Sequence, residues 1–175
     1  MALFQLGGGG NNFTADSSPG GDTIQGQGGD DTIDAGGGND TVLGGQDSDL
    51  VYGGVGDDSL FGDSVLGFGG SYDDTVFGGD GFDFVAGGGA NDALYGDDAD
   101  DTVYGDTGFD LVYGGNGNDR LQGDADGDTL SGGLSDDTVT GGDGADIVYG
   151  DENDDSLSGG VGGDLVYAGT GNDLL

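Results

Sequence analysis

The sequence contains no cysteine, histidine or tryptophan, and its single basic residue is Arg120. Disulfides and thiolate or imidazole metal sites are therefore excluded, and with them most zinc, copper and iron chemistry. Nucleophilic enzymes that pair serine or cysteine with histidine are excluded as well. One basic residue provides no basic patch for nucleic acid or for an anionic membrane surface. The chain also lacks an apolar run of about 18 residues, so no transmembrane segment is expected.

Acidic residues and glycine are what the chain has in excess. Its 175 residues include 36 acidic side chains and 47 glycines, and the formal net charge is −35. Such a composition is typical of disordered chains, because too little apolar surface is buried to offset chain entropy and self-repulsion. Only Glu152 is a glutamate, and every other acid is the shorter aspartate, which suits carboxylates held close to the backbone. A bound cation is therefore expected to neutralise the charge if the chain folds.

An aliphatic residue recurs every nine residues along nearly the whole chain, with one step of sixteen. These positions are Ile24, Ile33, Val42, Val51, Leu60, Val76, Val85, Leu94, Val103, Val112, Leu121, Leu130, Val139, Val148, Leu157, Val166 and Leu175. An aspartate stands two residues before each of them. We predict these aspartates as metal ligands: Asp22, Asp31, Asp40, Asp49, Asp58, Asp74, Asp83, Asp92, Asp101, Asp110, Asp119, Asp128, Asp137, Asp146, Asp155, Asp164 and Asp173.

With glycines filling most of the remaining positions, each unit reads G-G-x-G-x-D-x-U-x, where U is aliphatic. The pattern resembles the RTX (repeats-in-toxin, haemolysin-type) nonapeptide repeats, over about residues 20–175. The resemblance implies an all-β fold, a right-handed parallel β-roll that binds calcium. It also implies a secreted protein, exported by type I secretion to the extracellular space or the cell surface.

Physical reasoning from the residues leads to the same architecture. The glycine-rich stretch can turn sharply, and x-U-x forms a short strand with U pointing inward. Two nonapeptides then make one 18-residue coil, and successive coils stack into two short-stranded parallel sheets. Stacking places Asp101 over Asp119 beside glycine carbonyls, an all-oxygen environment that suits Ca²⁺ better than Mg²⁺. Seventeen turns would hold about 15 ions, whose charge of roughly +30 nearly cancels the carboxylates.

Some parts of the chain depart from the repeat. Residues 1–21 lack the motif and are predicted to cap the first coil of a roll that spans 22–175. Seven extra residues within 62–72 are predicted to bulge as a loop, because the alternation of outward residues continues across them. The third glycine is replaced in seven units, which puts calcium occupancy there in doubt, at Asp47, Tyr72, Ala90, Ala99, Asp126, Ser135 and Asn153.

The residues that flank U point outward, and on one sheet many of them are apolar. We predict a candidate interaction face there, made of Leu50, Tyr52, Phe77, Tyr95, Leu111, Tyr113, Ile147, Tyr149, Leu165 and Tyr167. The face could dock a partner or a second copy of the chain. Alternatively, these side chains stack along the strands and stabilise the sheet.

These features predict a structural or interaction module that folds on Ca²⁺ into a rigid rod. Because the chain ends on the aliphatic Leu175, an open last coil could stack on another molecule to give a homo-oligomer or filament. The alternative, implied by the resemblance, is an accessory polysaccharide-binding module of a secreted carbohydrate-active enzyme. An ice-binding array is disfavoured, since only Thr138 and Thr140 form an outward Thr-x-Thr pair. Enzyme activity is not expected, because the regularly placed aspartates are all accounted for as ligands.

Overall fold

A computed structural model describes residues 3–14, 20–63 and 71–175 of the chain. Every regular element in these ranges is a β-strand. The strands are β1 (Leu3–Gln5), β2 (Asn12–Thr14), β3 (Thr23–Gln25), β4 (Thr32–Asp34), β5 (Thr41–Gly45), β6 (Leu50–Val55), β7 (Ser59–Asp63), β8 (Thr75–Asp80), β9 (Phe84–Gly89), β10 (Ala93–Asp98), β11 (Thr102–Thr107), β12 (Leu111–Asn116), β13 (Arg120–Ala125), β14 (Thr129–Leu134), β15 (Thr138–Gly144), β16 (Ile147–Glu152), β17 (Ser156–Gly162) and β18 (Leu165–Tyr167). Within the described ranges no helix could cross a lipid bilayer.

Alternate strands belong to opposite sheets. The odd-numbered strands form one parallel sheet of nine strands, the odd sheet, and the even-numbered strands form a second, the even sheet. Leu94 pairs with Val112 and Val103 pairs with Leu121, so each strand lies beside the strand 18 residues later. The predicted all-β parallel solenoid with two nonapeptides per coil is confirmed.

The core is a single file of aliphatic side chains between the two sheets. From Ile24 to Val148, every one of the predicted aliphatic positions is at most 1% exposed. Leu157 is 4% exposed and Val166 is partly buried, whereas Leu175 is 74% exposed. Burial follows from the period of two along a strand, which turns U inward and its two neighbours outward.

The strands are longer than the predicted three residues. From β6 to β17 they run for five to seven residues, because the pairing continues past the corner glycine, as where Asp97 pairs with Gly115. The chain bends at the second glycine of the G-G pair in the repeat. At Gly54, for example, φ is +111°, a region that favours glycine. The strand therefore turns the corner without losing its ladder.

Across the predicted loop the register changes but the order of the strands does not. Leu50 pairs with Thr75 and Ser59 pairs with Phe84, a spacing of 25 residues instead of 18. The two sheets keep their alternation on both sides of this step. Residues 64–70, on which most of the predicted loop falls, lie outside the described residues.

The segment before the first repeat adds one more coil. Phe4 pairs with Ile24 and Phe13 pairs with Ile33, at a spacing of 20 residues, and both rings pack against the core. Their ring centroids are 4.8 Å apart. The segment thus extends both sheets by one strand each, and the cap assigned to residues 1–21 stays a prediction.

Candidate metal centre

The motif aspartates point into the solenoid at its two edges. Because they lie two residues before a core aliphatic residue, they share its inward orientation. From Asp31 to Asp155 each is only 1–4% exposed, while Asp22, Asp164 and Asp173 are partly exposed. Burying fourteen carboxylates in a chain with one basic residue demands a physical explanation.

Hydrogen bonds link these carboxylates into two columns, one along each edge, which we call the inner columns. From Asp22 to Asp155, the backbone N–H of each motif aspartate donates to Oδ1 of the aspartate one coil later, as from Asp101 to Asp119 at 2.8 Å. The pattern crosses the irregular step, where the N–H of Asp49 donates to Asp74 Oδ1 at 2.7 Å. One carboxylate oxygen of each pair is therefore satisfied by the polypeptide.

The second oxygen is not satisfied. Oδ2 of every motif aspartate from Asp31 to Asp155 is buried and accepts no hydrogen bond from the described residues. Leaving a buried charged oxygen unpaired costs at least about 1–3 kcal/mol for each group. Fourteen such oxygens in register point to a ligand that the polypeptide does not supply.

For most of these orphaned oxygens, a main-chain carbonyl oxygen approaches the same corner glycine. A Cβ added at Gly96 would be 2.5 Å from Asp101 Oδ2 and 2.7 Å from the carbonyl oxygen of Gly114, one coil later. At Gly105 the corresponding distances, to Asp110 Oδ2 and to the carbonyl oxygen of Gly123, are 2.5 and 2.8 Å. Glycine is therefore favoured at this position, because a side chain would enter the space where the two oxygens converge. Ala35, which stands at the equivalent position before Asp40, is an exception.

Burial raises the pKa of most of the inner carboxylates, and the neighbouring aspartates of the column add to the effect. The pKa of Asp92 and of Asp101 is raised to about 8, while that of Asp119 is raised to about 6. The hydrogen bond from the backbone acts in the opposite direction and is weaker than desolvation. Without a cation, the folded columns therefore retain protons at pH values well above those at which a free aspartate loses its proton.

The donor set fits calcium. No group of three acidic side chains converges anywhere in the described ranges, so a purely carboxylate site is absent there. Calcium accepts main-chain carbonyl oxygens alongside carboxylates, at 2.3–2.6 Å and in flexible geometry. The orphaned Oδ2 atoms and the glycine carbonyl oxygens supply that mixture on both edges, and the assignment of individual ligands stays a prediction.

Most of the departures from the third glycine are accommodated by backbone strain. Six of the seven substituting residues have positive φ, between +71° and +90°, and Tyr72 is the exception. At Ala99, φ is +90°, yet Asp101 keeps its place in the column. The column is thus continuous through these turns, and their calcium occupancy remains untested.

Asp63 was missed by sequence reasoning. It occupies a second-glycine position, and its Oδ1 is buried with no partner among the described residues. Its Oδ2 accepts a hydrogen bond from the N–H of Gly89 at 3.1 Å. Burial raises its pKa. The signal that could have found it is an aspartate at a position that is usually glycine.

A second series of polar residues lies just outside the inner columns. These residues directly precede the motif aspartates, and we call them the outer ladder. They are exposed, and their oxygens accept hydrogen bonds from the residue one coil later, as from the N–H of Asn118 to Asp100 Oδ1 at 2.8 Å. Asp136 accepts from the N–H of Asp154 at 3.1 Å in the same way. These aspartates therefore link successive coils by hydrogen bonds at the surface.

The predicted interaction face forms a stack of aromatic rings on the even sheet. Neighbouring centroids are 5.1 Å apart from Tyr52 to Phe77, 4.6 Å from Phe77 to Tyr95 and 5.2 Å from Tyr95 to Tyr113, with planes within 10° of parallel. A second, two-ring stack joins Tyr149 and Tyr167 at 5.1 Å. The aliphatic members Leu50, Leu111, Ile147 and Leu165 flank these rings on the same strands. The stack stabilises strand pairing, and docking to the face stays a prediction.

Comparison with known protein families gives a match over most of the chain. The profile of the RTX calcium-binding nonapeptide repeat matches residues 16–51, 38–64, 68–103, 95–130, 122–157 and 140–175. These ranges leave out only residues 1–15 and 65–67. No curated protein matches the chain.

Proposed function

Since the chain belongs to the family of RTX calcium-binding nonapeptide repeats, we propose that it is a calcium-dependent structural or interaction module of a secreted or cell-surface protein. The orphaned, buried Oδ2 atoms of the inner columns carry this proposal. They require positive charge inside the fold, and the chain has one basic residue to offer. The module folds around Ca²⁺ into a rigid rod.

The residues of the chain have distinct parts in this process. The motif aspartates hold the ion through Oδ2, while their Oδ1 atoms keep the coils in register through backbone hydrogen bonds. Corner glycines such as Gly96 let the carbonyl oxygen of the next coil approach. Bound calcium supplies the positive charge that neutralises the carboxylates, and about 15 ions would bring roughly +30.

The same electrostatics provides a switch. At low calcium the carboxylates repel one another and favour an open chain, which suits passage through an export channel. At extracellular calcium, binding free energy becomes folding free energy, and the rod forms. The protein is thereby unfolded during export and rigid afterwards.

Self-association through the aromatic face of the even sheet is the second candidate. Tyr113 is 37% exposed, Tyr167 is 50% exposed and Leu165 is 53% exposed, a set of large side chains left open to a partner. A polysaccharide is the less favoured occupant of the main stack. The rings from Tyr52 to Tyr113 cover one another's faces, so they offer a sugar mostly ring edges.

Far-UV circular dichroism with light scattering tests the proposal. We expect millimolar Ca²⁺ to produce a β signal that excess chelator removes, whereas equal Mg²⁺ does not produce it. Scattering at monomer mass would support a separate module, and calcium-dependent growth in mass would support self-association. A spectrum that is identical with calcium and with chelator would overturn the proposal.

A further inference from the structure

The aromatic stack on the even sheet has one missing ring. Four rings stack from Tyr52 to Tyr113 and two stack from Tyr149 to Tyr167, but the strand between them, β14, carries Ser131 at the ring position. Before the corner at Gly132, the other outward residue of β14 is Thr129, which lies between the larger Leu111 and Ile147. This part of the strand therefore has a lower outward surface than its neighbours, whereas Leu134, beyond the corner, is 45% exposed.

This depression, the β14 slot, has a defined shape. Its floor is formed by Thr129 and Ser131, one wall by Leu111 and Tyr113, and the other by Ile147 and Tyr149. Two strand spacings separate the tyrosines that face each other, about 10 Å. Rings in the intact stack are 4.6–5.2 Å apart, so the slot has room for one flat group in contact with both tyrosine rings.

One end of the slot is negatively charged. The hydroxyl of Ser131 donates to Asp151 Oδ2 at 2.6 Å, and Glu152 follows Asp151 along β16. Both acids are exposed. A carboxylate has about four acceptor positions, so Asp151 can accept further hydrogen bonds from a ligand while it holds Ser131.

We propose that the β14 slot binds the guanidinium group of an arginine side chain on a basic partner, an inference that rests on calcium-driven folding to form the even sheet. A guanidinium is flat, stacks on tyrosine faces and donates paired hydrogen bonds to a carboxylate. The charge is complementary at the slot itself, since the exposed carboxylates of Asp151 and Glu152 are not among the motif aspartates that calcium neutralises. The chain's own cation, Arg120, is on the odd sheet and cannot fill the slot.

Lysine fits this slot poorly by comparison. Its ammonium group is a compact, strongly hydrated point charge and lacks the flat face that two parallel rings contact. A neutral ring would fill the space but would leave the carboxylate at the end of the slot without a donor of matching charge. The combination of two ring faces with Asp151 therefore selects a flat cation.

The test titrates the calcium-loaded protein with a short capped peptide containing one arginine, and with the matched lysine peptide, at fixed ionic strength. Binding is followed by tyrosine chemical shifts. We expect the arginine peptide to bind at least several-fold more tightly and to shift Tyr113 and Tyr149 selectively. Ser131→Tyr fills the slot and should lower arginine binding about tenfold or more, whereas Thr140→Tyr adds a ring to the odd sheet and should leave it unchanged.

Asp151→Asn is the second variant, because it keeps the slot open and removes only the charge. It should weaken arginine binding several-fold. Equal binding of the two peptides, or arginine binding that survives Ser131→Tyr, would overturn the proposal. Binding of neutral p-cresol or of a neutral disaccharide in preference to arginine, abolished by Ser131→Tyr, would overturn it too. Circular dichroism of each sample separates these outcomes from a failure of calcium-dependent folding.

Discussion

Asp100 and Asp101 are neighbours in one repeat, yet they lie in opposite environments. Asp101 belongs to an inner column, where it is 2% exposed and its Oδ2 accepts no hydrogen bond from the described residues. Asp100 belongs to the outer ladder, where it is exposed and caps the N–H of Asn118. Because alternate residues of an extended chain point to opposite sides, a shift of one position separates a surface hydrogen-bond acceptor from a metal-ligand candidate.

The repeats also show what each position requires. In the outer ladder, Asn91 and Asn118 replace aspartate and accept the same hydrogen bond from the next coil. In the inner columns, all seventeen positions are aspartate. An amide oxygen can accept a hydrogen bond as well as a carboxylate, but it lacks the negative charge that a cation requires. The inner position thus keeps a carboxylate throughout, whereas a neutral amide can replace it at the outer position.

Acidification should have the largest effect on calcium-driven folding, because many carboxylates of the inner columns take up protons together. Their folded pKa values are raised to about 6–8 from 3.8, so their contribution to the stability of the metal-free fold is present below pH 4 and is lost as pH rises through 6–8. Calcium needs the deprotonated form. We expect the calcium midpoint of folding to rise more than tenfold from pH 8 to pH 5, while the chelated chain gains β signal. A midpoint that does not change with pH would contradict the assignment.

Asp119→Asn should have the largest effect among single substitutions. It removes one inner charge and should lower the free energy of unfolding in saturating calcium by about 3 kcal/mol, because a buried ion loses a charged partner. Asp100→Asn in the outer ladder is the matched control, and its unfolding in calcium should match that of the native chain. Equal losses of unfolding free energy for the two variants would contradict the distinction between the inner columns and the outer ladder.

Gly105→Ala should come next. The new Cβ would be 2.5 Å from Asp110 Oδ2 and 2.8 Å from the carbonyl oxygen of Gly123, so the two oxygens must separate. We expect a loss of about 2 kcal/mol in thermal unfolding with calcium. Gly163→Ala serves as the control, because a Cβ at that position, directly before Asp164, would have no atom of the described residues within 4 Å. If both variants unfold alike, the space at Gly105 does not matter for the site.

The smallest effect is expected at the third-glycine position of the repeat, two residues before the motif aspartate. Ala99 has φ of +90°, which is strained for a residue with a Cβ. Ala99→Gly should therefore raise the free energy of unfolding, by roughly 0.5 kcal/mol after the entropy of the glycine in the unfolded chain is counted. Ala125→Gly, at a position without positive φ, should lower it instead. Chemical unfolding in calcium measures both, and a loss at Ala99 would show that the turn is unstrained.

The sequence predicted the features that follow strictly from a nine-residue period. The core file from Ile24 to Val148 and the inward motif aspartates both arise from alternation along a strand. The coil of Phe4 and Phe13 was harder to recognise, because its spacing to the next coil is 20 residues and it lacks the aspartate. The hydrogen bond from Ser131 to Asp151 joins different positions of different repeats, so the nine-residue period does not predict it. Strand length depended on pairing around a glycine corner, which only three-dimensional stacking establishes.

The most direct test of the central claim is to count calcium ions per folded chain by titration calorimetry with metal analysis. The account predicts about 15 ions for the native chain. It predicts a lower count for Asp119→Asn, while Asp100→Asn keeps the native value. A native chain that folds with one or two ions, or an Asp119→Asn variant that binds the full number, would contradict the assignment of calcium to the inner columns.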